Sequence, residues 1–278
     1  MSLAIALLLA QVGPGGALPQ APLEIRRKPA PAPATAPLDP LAERFRECLE
    51  AAASEGETGI LAAQTWRDRA SGVEAARASQ CLGNAYNYQA RWAEAEAAFL
   101  AARDAEPADE PGRRAVLGGM AGQAALDQGE AQRAEAHYRR AHDDALRSGR
   151  LTLSGSIAAE WSRPLVALGR MDEAAKALAE ARASSPDNPL AWLLSATLAR
   201  RQDRLAEAQQ QIERAAQLMP VDPDIGLEAG VIAVLSGREA AARKSWESVL
   251  QVSPGSDAAR RAQSYLDQLA AKNAPVGR

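Results

Sequence analysis

Eleven aromatic side chains, two cysteines and two histidines are all that 278 residues supply of those types. A chain this poor in large rings must pack its core from small side chains at short range. The two cysteines form no Cys-x-x-Cys pair, which removes zinc ribbons and thioredoxin-like redox motifs. His137 and His142 stand five residues apart, a spacing that turns them from a common helix face, whereas metal-binding helices use four. His142-Asp143-Asp144 reads as a solvated helix end in preference to a weak metal site. There is no Gly-x-Ser-x-Gly elbow for a serine nucleophile and no glycine-rich loop ending in Gly-Lys-Ser/Thr to cradle phosphate. Neither charge sign dominates: 32 basic residues face 35 acidic ones, for a net charge of −3. That balance offers no footing for nucleic acid and no acidic tail. The arginine pairs at 113–114, 139–140, 200–201 and 260–261 are scattered among acids and read as solvated helix faces. The expectation is a protein without enzymatic activity, cofactor, metal, nucleic-acid partner or stable membrane span.

Alanine is what the chain has in plenty, 65 residues of it, within a hydrophobic share of 47%. Alanine is the best helix former and a poor strand former, so an all-β sandwich or barrel is close to excluded. The opening Leu3–Ala10 run is apolar but too short to span a bilayer as a helix. Followed by Gly13-Pro14-Gly15-Gly16-Ala17, it fits a signal peptide over residues 1–20, cleaved between Ala17 and Ala21. The run lacks a preceding lysine or arginine, and the alternative is the frayed N-terminus of a cytoplasmic protein. The first reading places the protein in the periplasm or outside the cell. Seven prolines between Pro19 and Pro40 then interrupt hydrogen-bonded structure, so 21–38 reads as an extended Pro/Ala-rich tether.

Self-comparison reveals a period. Pro186, Pro220 and Pro254 lie 34 residues apart, and other columns align on them. Ala174, Ala208 and Ala242 sit twelve before each proline; Ala181, Ala215 and Val249 sit five before. The same template catches Leu82-Gly83, Tyr86, Ala95, Phe99, Ala102 and Pro107, with Trp92 in the turn. It also catches Gly122, Gly129, Ala134, Tyr138 and Ala141. Copies run over 76–109, 115–148, 155–188, 189–222 and 223–256, with breaks of about five and six residues between the first three. Each copy predicts two helices and a tight turn. Gly83, Gly122, Ser162, Ala196 and Gly230 mark where the helices approach most closely. Ala95, Ala134, Ala174, Ala208 and Ala242 are the reciprocal small positions. Phe99, Tyr138, Leu178, Ile212 and Trp246 are large knobs filling the space between pairs. Gly129, Gly169 and Gly237 belong in the turn, and the prolines end the second helix. Gly118-Gly119-Met120-Ala121-Gly122 and Gly226-x3-Gly230 fall within first helices and read as close-packing sites. Pro164 falls mid-way along a first helix and predicts a kink or a late start.

This order of small, glycine, tyrosine, alanine, phenylalanine, alanine and proline at a 34-residue period resembles the tetratricopeptide repeat family. The resemblance implies an all-α, right-handed superhelical solenoid of stacked antiparallel helix pairs over 39–273. Residues 39–72 supply a degenerate capping pair, opened by Asp39 as N-cap and Pro40 at the first helical position. Residues 257–272 supply a capping helix with Ala259, Ala262, Leu266 and Leu269 on its inner side.

In that family the concave side is lined by first helices and grips extended peptides or partner helices. Matching its groove columns residue by residue gives Arg77, Gln80, Asn84, Asn87 and Tyr88 from the first copy. The later copies give Gln123, Arg163, and Thr197 with Arg200 and Arg201. Asparagine and glutamine suit a peptide backbone because each both donates and accepts. Members that clamp a C-terminal carboxylate place lysine four residues before asparagine in the first copy; here Gln80 precedes Asn84. The fifth copy offers Leu227, Val231 and Val234, an apolar end suited to a hydrophobic side chain or another protomer. The plain alternative for all these positions is a solvated face without a dedicated ligand.

Cys48 and Cys81 are 33 residues apart, about one repeat, on successive first helices. Export would permit a disulfide between them; without one, they would serve as two small buried residues in tight helix contacts. The leading expectation for function is a non-enzymatic interaction scaffold, exported and holding a protein or peptide along its groove. The alternative is a cell-envelope assembly or polysaccharide-associated factor whose Arg77, Arg163 and Arg200 converge on an acidic polymer.

Overall fold

A computed structural model describes residues 39–272. The expected signal peptide and tether lie outside the described residues. Among those described, all regular structure is helical: α1 (Pro40–Ser54), α2 (Glu57–Arg67), α3 (Gly72–Tyr88), α4 (Trp92–Ala105), α5 (Pro111–Asp127), α6 (Ala131–Arg147), α7 (Leu151–Ala167), α8 (Met171–Ser184), α9 (Pro189–Arg201), α10 (Leu205–Leu218), α11 (Pro223–Leu235), α12 (Glu239–Val252) and α13 (Asp257–Lys272). Each helix from α3 to α12 packs on its pair mate and on the next pair, building a solenoid of stacked hairpins.

The five hairpins share one turn. In each, three residues separate the helices and the middle one is left-handed: Ala90, Gly129, Gly169, Asp203 and Gly237, with φ between 54° and 82°. The residue after it donates its amide back across the turn. Arg91 bonds Tyr86, Glu130 bonds Ala125, Arg170 bonds Leu165, Arg204 bonds Ala199 and Arg238 bonds Ala233, all at 2.8–3.0 Å. This is the six-to-one bond of a Schellman cap, which satisfies a carbonyl the helix end would orphan. Trp92 is the first residue of α4 rather than part of the turn. Second helices stop two residues before Pro107, Pro186, Pro220 and Pro254, as expected for a residue that disfavours helix in its predecessor.

The breaks between the first three copies become helix. First helices α9 and α11 are 13 residues long, whereas α3, α5 and α7 have 17, one further turn at the N-terminus. Pro164 therefore sits in the last turn of α7, not mid-way, and the helix starts early at Leu151 rather than late. The proline removes one amide donor near the helix end, while its own carbonyl still accepts from Leu168 at 2.9 Å.

Packing explains the columns. Ala95, Ala134, Ala174, Ala208 and Ala242 are all 0% exposed. A β-carbon on Gly83 would lie 2.5 Å from the Phe99 ring and one on Gly122 would lie 2.8 Å from Tyr138; one on Gly230 would collide with Trp246. Each aromatic knob thus presses on the first helix of its own pair, sixteen residues back, rather than only between pairs. Where the knob is aliphatic, at Leu178 and Ile212, the sixteen-back position is Ser162 or Ala196. Aromatic knob goes with glycine, aliphatic knob with a small side chain. Cys48 of α1 and Cys81 of α3 are joined by a disulfide with their α-carbons 6.2 Å apart.

Candidate functional site

The ionisable side chains sort first into those that hold the stack together. Asp144 on α6 is completely buried and binds Arg103 of α4 at 2.6 Å, with Arg147 on its other oxygen. Glu96 on α4 accepts from Gln128 at 2.7 Å and lies 2.9 Å from His137 and 3.2 Å from Arg133. Burial opposes its ionisation, but His137, Gln128 and Arg133 together outweigh that and hold the carboxyl below its usual range. His142 pairs with Glu180 of α8 at 2.6 Å beside the Trp161 ring. The two histidines of α6 therefore point to opposite neighbours, one back to α4 and one forward to α8. His142 and Asp144 are buried, so the solvated helix end expected at His142-Asp143-Asp144 is corrected: α6 runs on to Arg147 and this turn lies between hairpins.

Several expected groove residues belong to that internal network. Arg77 lies 3.6 Å from buried Glu106 and over the Phe45 ring. Arg113 contacts the same carboxylate at 2.5 Å. Gln80 accepts from Arg113 at 3.4 Å, and Asn84 donates to the Gln80 carbonyl one turn back at 2.9 Å. Arg200 grips Glu228 of α11 with Nε at 2.6 Å and Nη2 at 3.3 Å. Tyr88 is 60% exposed at the end of α3, and Asn87 is half-buried next to it. Leu227 is 4% exposed and its carbonyl accepts from the Trp246 indole, so it faces the core rather than a groove.

The structure brings another subset together. A cleft of about 360 Å³ crosses three successive first helices: Leu126 from α5; Arg163, Val166 and Ala167 from α7; Leu194, Thr197, Leu198 and Arg201 from α9. Its floor is aliphatic and its rim carries two guanidinium groups. Arg163 is held by Gln123 at 2.8 Å and Glu160 at 3.1 Å. Gln123 is itself fixed by Asp127 at 2.8 Å. Arg201 has neither ion pair nor hydrogen bond among the described residues. Gln123, Arg163 and Thr197 are one repeat column, so three expected positions do meet. The floor was missed because Leu126 and Val166 are plain aliphatic side chains with no polar group to mark a groove. The available signal was their column, which is also that of Arg200, three residues beyond the Gln123 column. A second, apolar cleft of about 400 Å³ lies near the C-terminal end, lined by Val231, Val234, Trp246, Tyr265 and Leu269.

The tetratricopeptide repeat profile matches residues 165–229, from the end of α7 into α11. This stretch carries the tetratricopeptide repeat. Among solved structures, pilF of Pseudomonas aeruginosa superposes with a TM-score of 0.58 at 14% identity, over 82% of this chain and 100% of that one. A thermophilic repeat protein of Thermus thermophilus gives 0.57 at 16% identity, over 69% of this chain and 98% of its own. BtubC from P. vanneervenii gives 0.55 at 14%, over 86% and 96%. At these identities the likeness is one of fold. No curated protein matches the sequence of this chain. Among the described residues no helix is long and apolar enough to cross a membrane.

Proposed function

We propose that this protein is a non-enzymatic scaffold that holds an extended segment of a protein partner in the cleft across α5, α7 and α9. The observation that carries the reading is the pairing of an aliphatic floor with Arg201, a guanidinium without an acidic neighbour in contact. A peptide with a large apolar side chain next to an acidic one satisfies both, since burying the aliphatic surface drives association and the charge fixes register. The Thr197 hydroxyl donates to the Leu193 carbonyl, which leaves its oxygen to accept from a peptide amide along the same line. Peptide-array binding with Arg201→Glu tests it: the variant should fold as the parent does and lose acidic-apolar peptides at least about tenfold. Equal binding by parent and variant refutes the cleft.

Export is part of this proposal. The apolar Leu3–Ala10 run supports it, and so does a disulfide, because cytoplasmic thiols are kept reduced. N-terminal sequencing of the native protein should find a start after Ala17 to Ala21; an intact Met1 in a cytosolic fraction contradicts it. The acidic-polymer alternative loses its basis, because Arg77, Arg163 and Arg200 are each occupied by a carboxylate of the chain.

A further inference from the structure

Between α8, α9 and the start of α10 lies a third cavity, of about 190 Å³, which shares only Leu198 with the cleft. It is larger than the ~30 Å³ share of one water and smaller than the ~300 Å³ at which drug-sized pockets begin. Its polar lining is Arg182, Ser195, Arg204, Glu207 and Gln211. Most of these groups satisfy one another. Arg204 donates to Glu207 at 2.5 Å and also to Gln202. Gln211 Nε2 donates to the other Glu207 oxygen at 2.8 Å. Ser195 donates to the Ala191 carbonyl at 2.7 Å, which leaves its hydroxyl oxygen to accept from Arg182.

Two demands remain. Gln211 is 7% exposed, and its Oε1 is buried with no donor among the described residues. Arg182 lies against the Trp192 ring at 5.5 Å and makes no ion pair among the described residues. Burial pulls its guanidinium below the ordinary arginine value; Glu207 opposes this and Arg204 adds to it. A buried acceptor without a donor and a desolvated cation without an anion each cost free energy that a ligand can recover. The ligand must carry an anion and an N–H donor within a small volume.

We propose that this cavity binds a small zwitterion of the α-amino acid class, with its carboxylate on Arg182 and its ammonium on Gln211 Oε1 beside Glu207. Ala175, Leu178 and Leu198 leave an aliphatic wall for a short side chain. The assignment does not depend on the peptide cleft.

Calorimetric titration of the full chain with glycine, L-alanine and L-serine tests it, with acetate and methylamine as half-ligands. At least one amino acid should bind at millimolar concentration and raise the melting temperature, and acetate should bind about tenfold more weakly or worse. Gln211→Leu removes the orphan acceptor and is expected to fold at least as stably as the parent. It should weaken the amino acid about tenfold while leaving acetate unchanged. Arg182→Met should abolish both. No binding of any of the three amino acids to the folded parent overturns the proposal. So does amino-acid binding that Gln211→Leu leaves intact, or a crystal structure grown in the amino acid that shows water alone in the cavity.

Discussion

Gly230 and Trp246 show the repeat's logic at the scale of single residues. The indole occupies the space a β-carbon on position 230 would need, so Gly230→Ala forces displacement of a buried ring. Overpacking of this kind costs about 1–3 kcal/mol, and the loss should shrink when Trp246→Ile is added, mimicking the Ala196–Ile212 pair. Urea denaturation of the single and double variants measures both. The turn column supplies the opposite case. Ala90 has a φ of 54° and Asp203 a φ of 58°, where the other three copies have glycine. Ala90→Gly should stabilise the protein by about 0.5–1 kcal/mol, because the relief of left-handed strain exceeds the chain entropy glycine adds. Both positions were legible as columns of the sequence. Which knob meets which small residue was not, because the sixteen-residue pairing depends on how the helices face across the turn.

Between elements, α6 is fastened to the hairpins on both sides. Through Asp144 and His137 it reaches α4, and through His142 it reaches α8. Its sequence looks solvated, with a polar character that made His142 and Asp144 read as surface. Pairing across hairpins buries them, and no pattern within one helix reveals a partner 38 or 41 residues away. Removing one member of a buried ion pair strands the other, so Asp144→Ala should cost about 3–5 kcal/mol, read by thermal or urea unfolding. Glu96 makes the α4–α6 contact sensitive to acid. Its folded carboxyl lies below the ordinary value of 4.5, so its stabilisation is present above that value and is lost as pH falls through the lower folded value. Stability measured from pH 6 downward should fall less steeply for Glu96→Gln than for the parent, and equal slopes contradict the assignment. The extra turn on α3, α5 and α7 was legible only in part. Breaks in the repeat were plain, but their fate as helix was not, because Gly112, Thr152 and Ser154 within them are weak helix formers.

For the molecule as a whole, stability is a sum over neighbours, because each hairpin buries its faces only against the next. The capping pair is fastened covalently by the Cys48–Cys81 disulfide, which closes a loop of 33-residue separation and contributes about 3–4 kcal/mol by loop entropy. Cys48→Ser with Cys81→Ser should therefore lower unfolding free energy by about that amount and free the α1–α2 end first, seen as faster amide exchange in α1. The fold was legible because repetition multiplies a weak signal five times. The groove was only partly so: Gln123, Arg163 and Thr197 do line up, but Arg77 and Arg200 turn to Glu106 and Glu228. A column fixes a side chain's place on the helix, and local charge decides where its end goes.

The central claim is that a partner lies across α5, α7 and α9. Photo-crosslinking in living cells tests it most directly, with the reactive side chain at Thr197 in the cleft or at exposed Glu213 on α10. The account predicts a discrete protein adduct from Thr197 that Arg201→Glu abolishes, and none of that mass from Glu213. The same adduct from Glu213, or an adduct at Thr197 indifferent to Arg201→Glu, would contradict it.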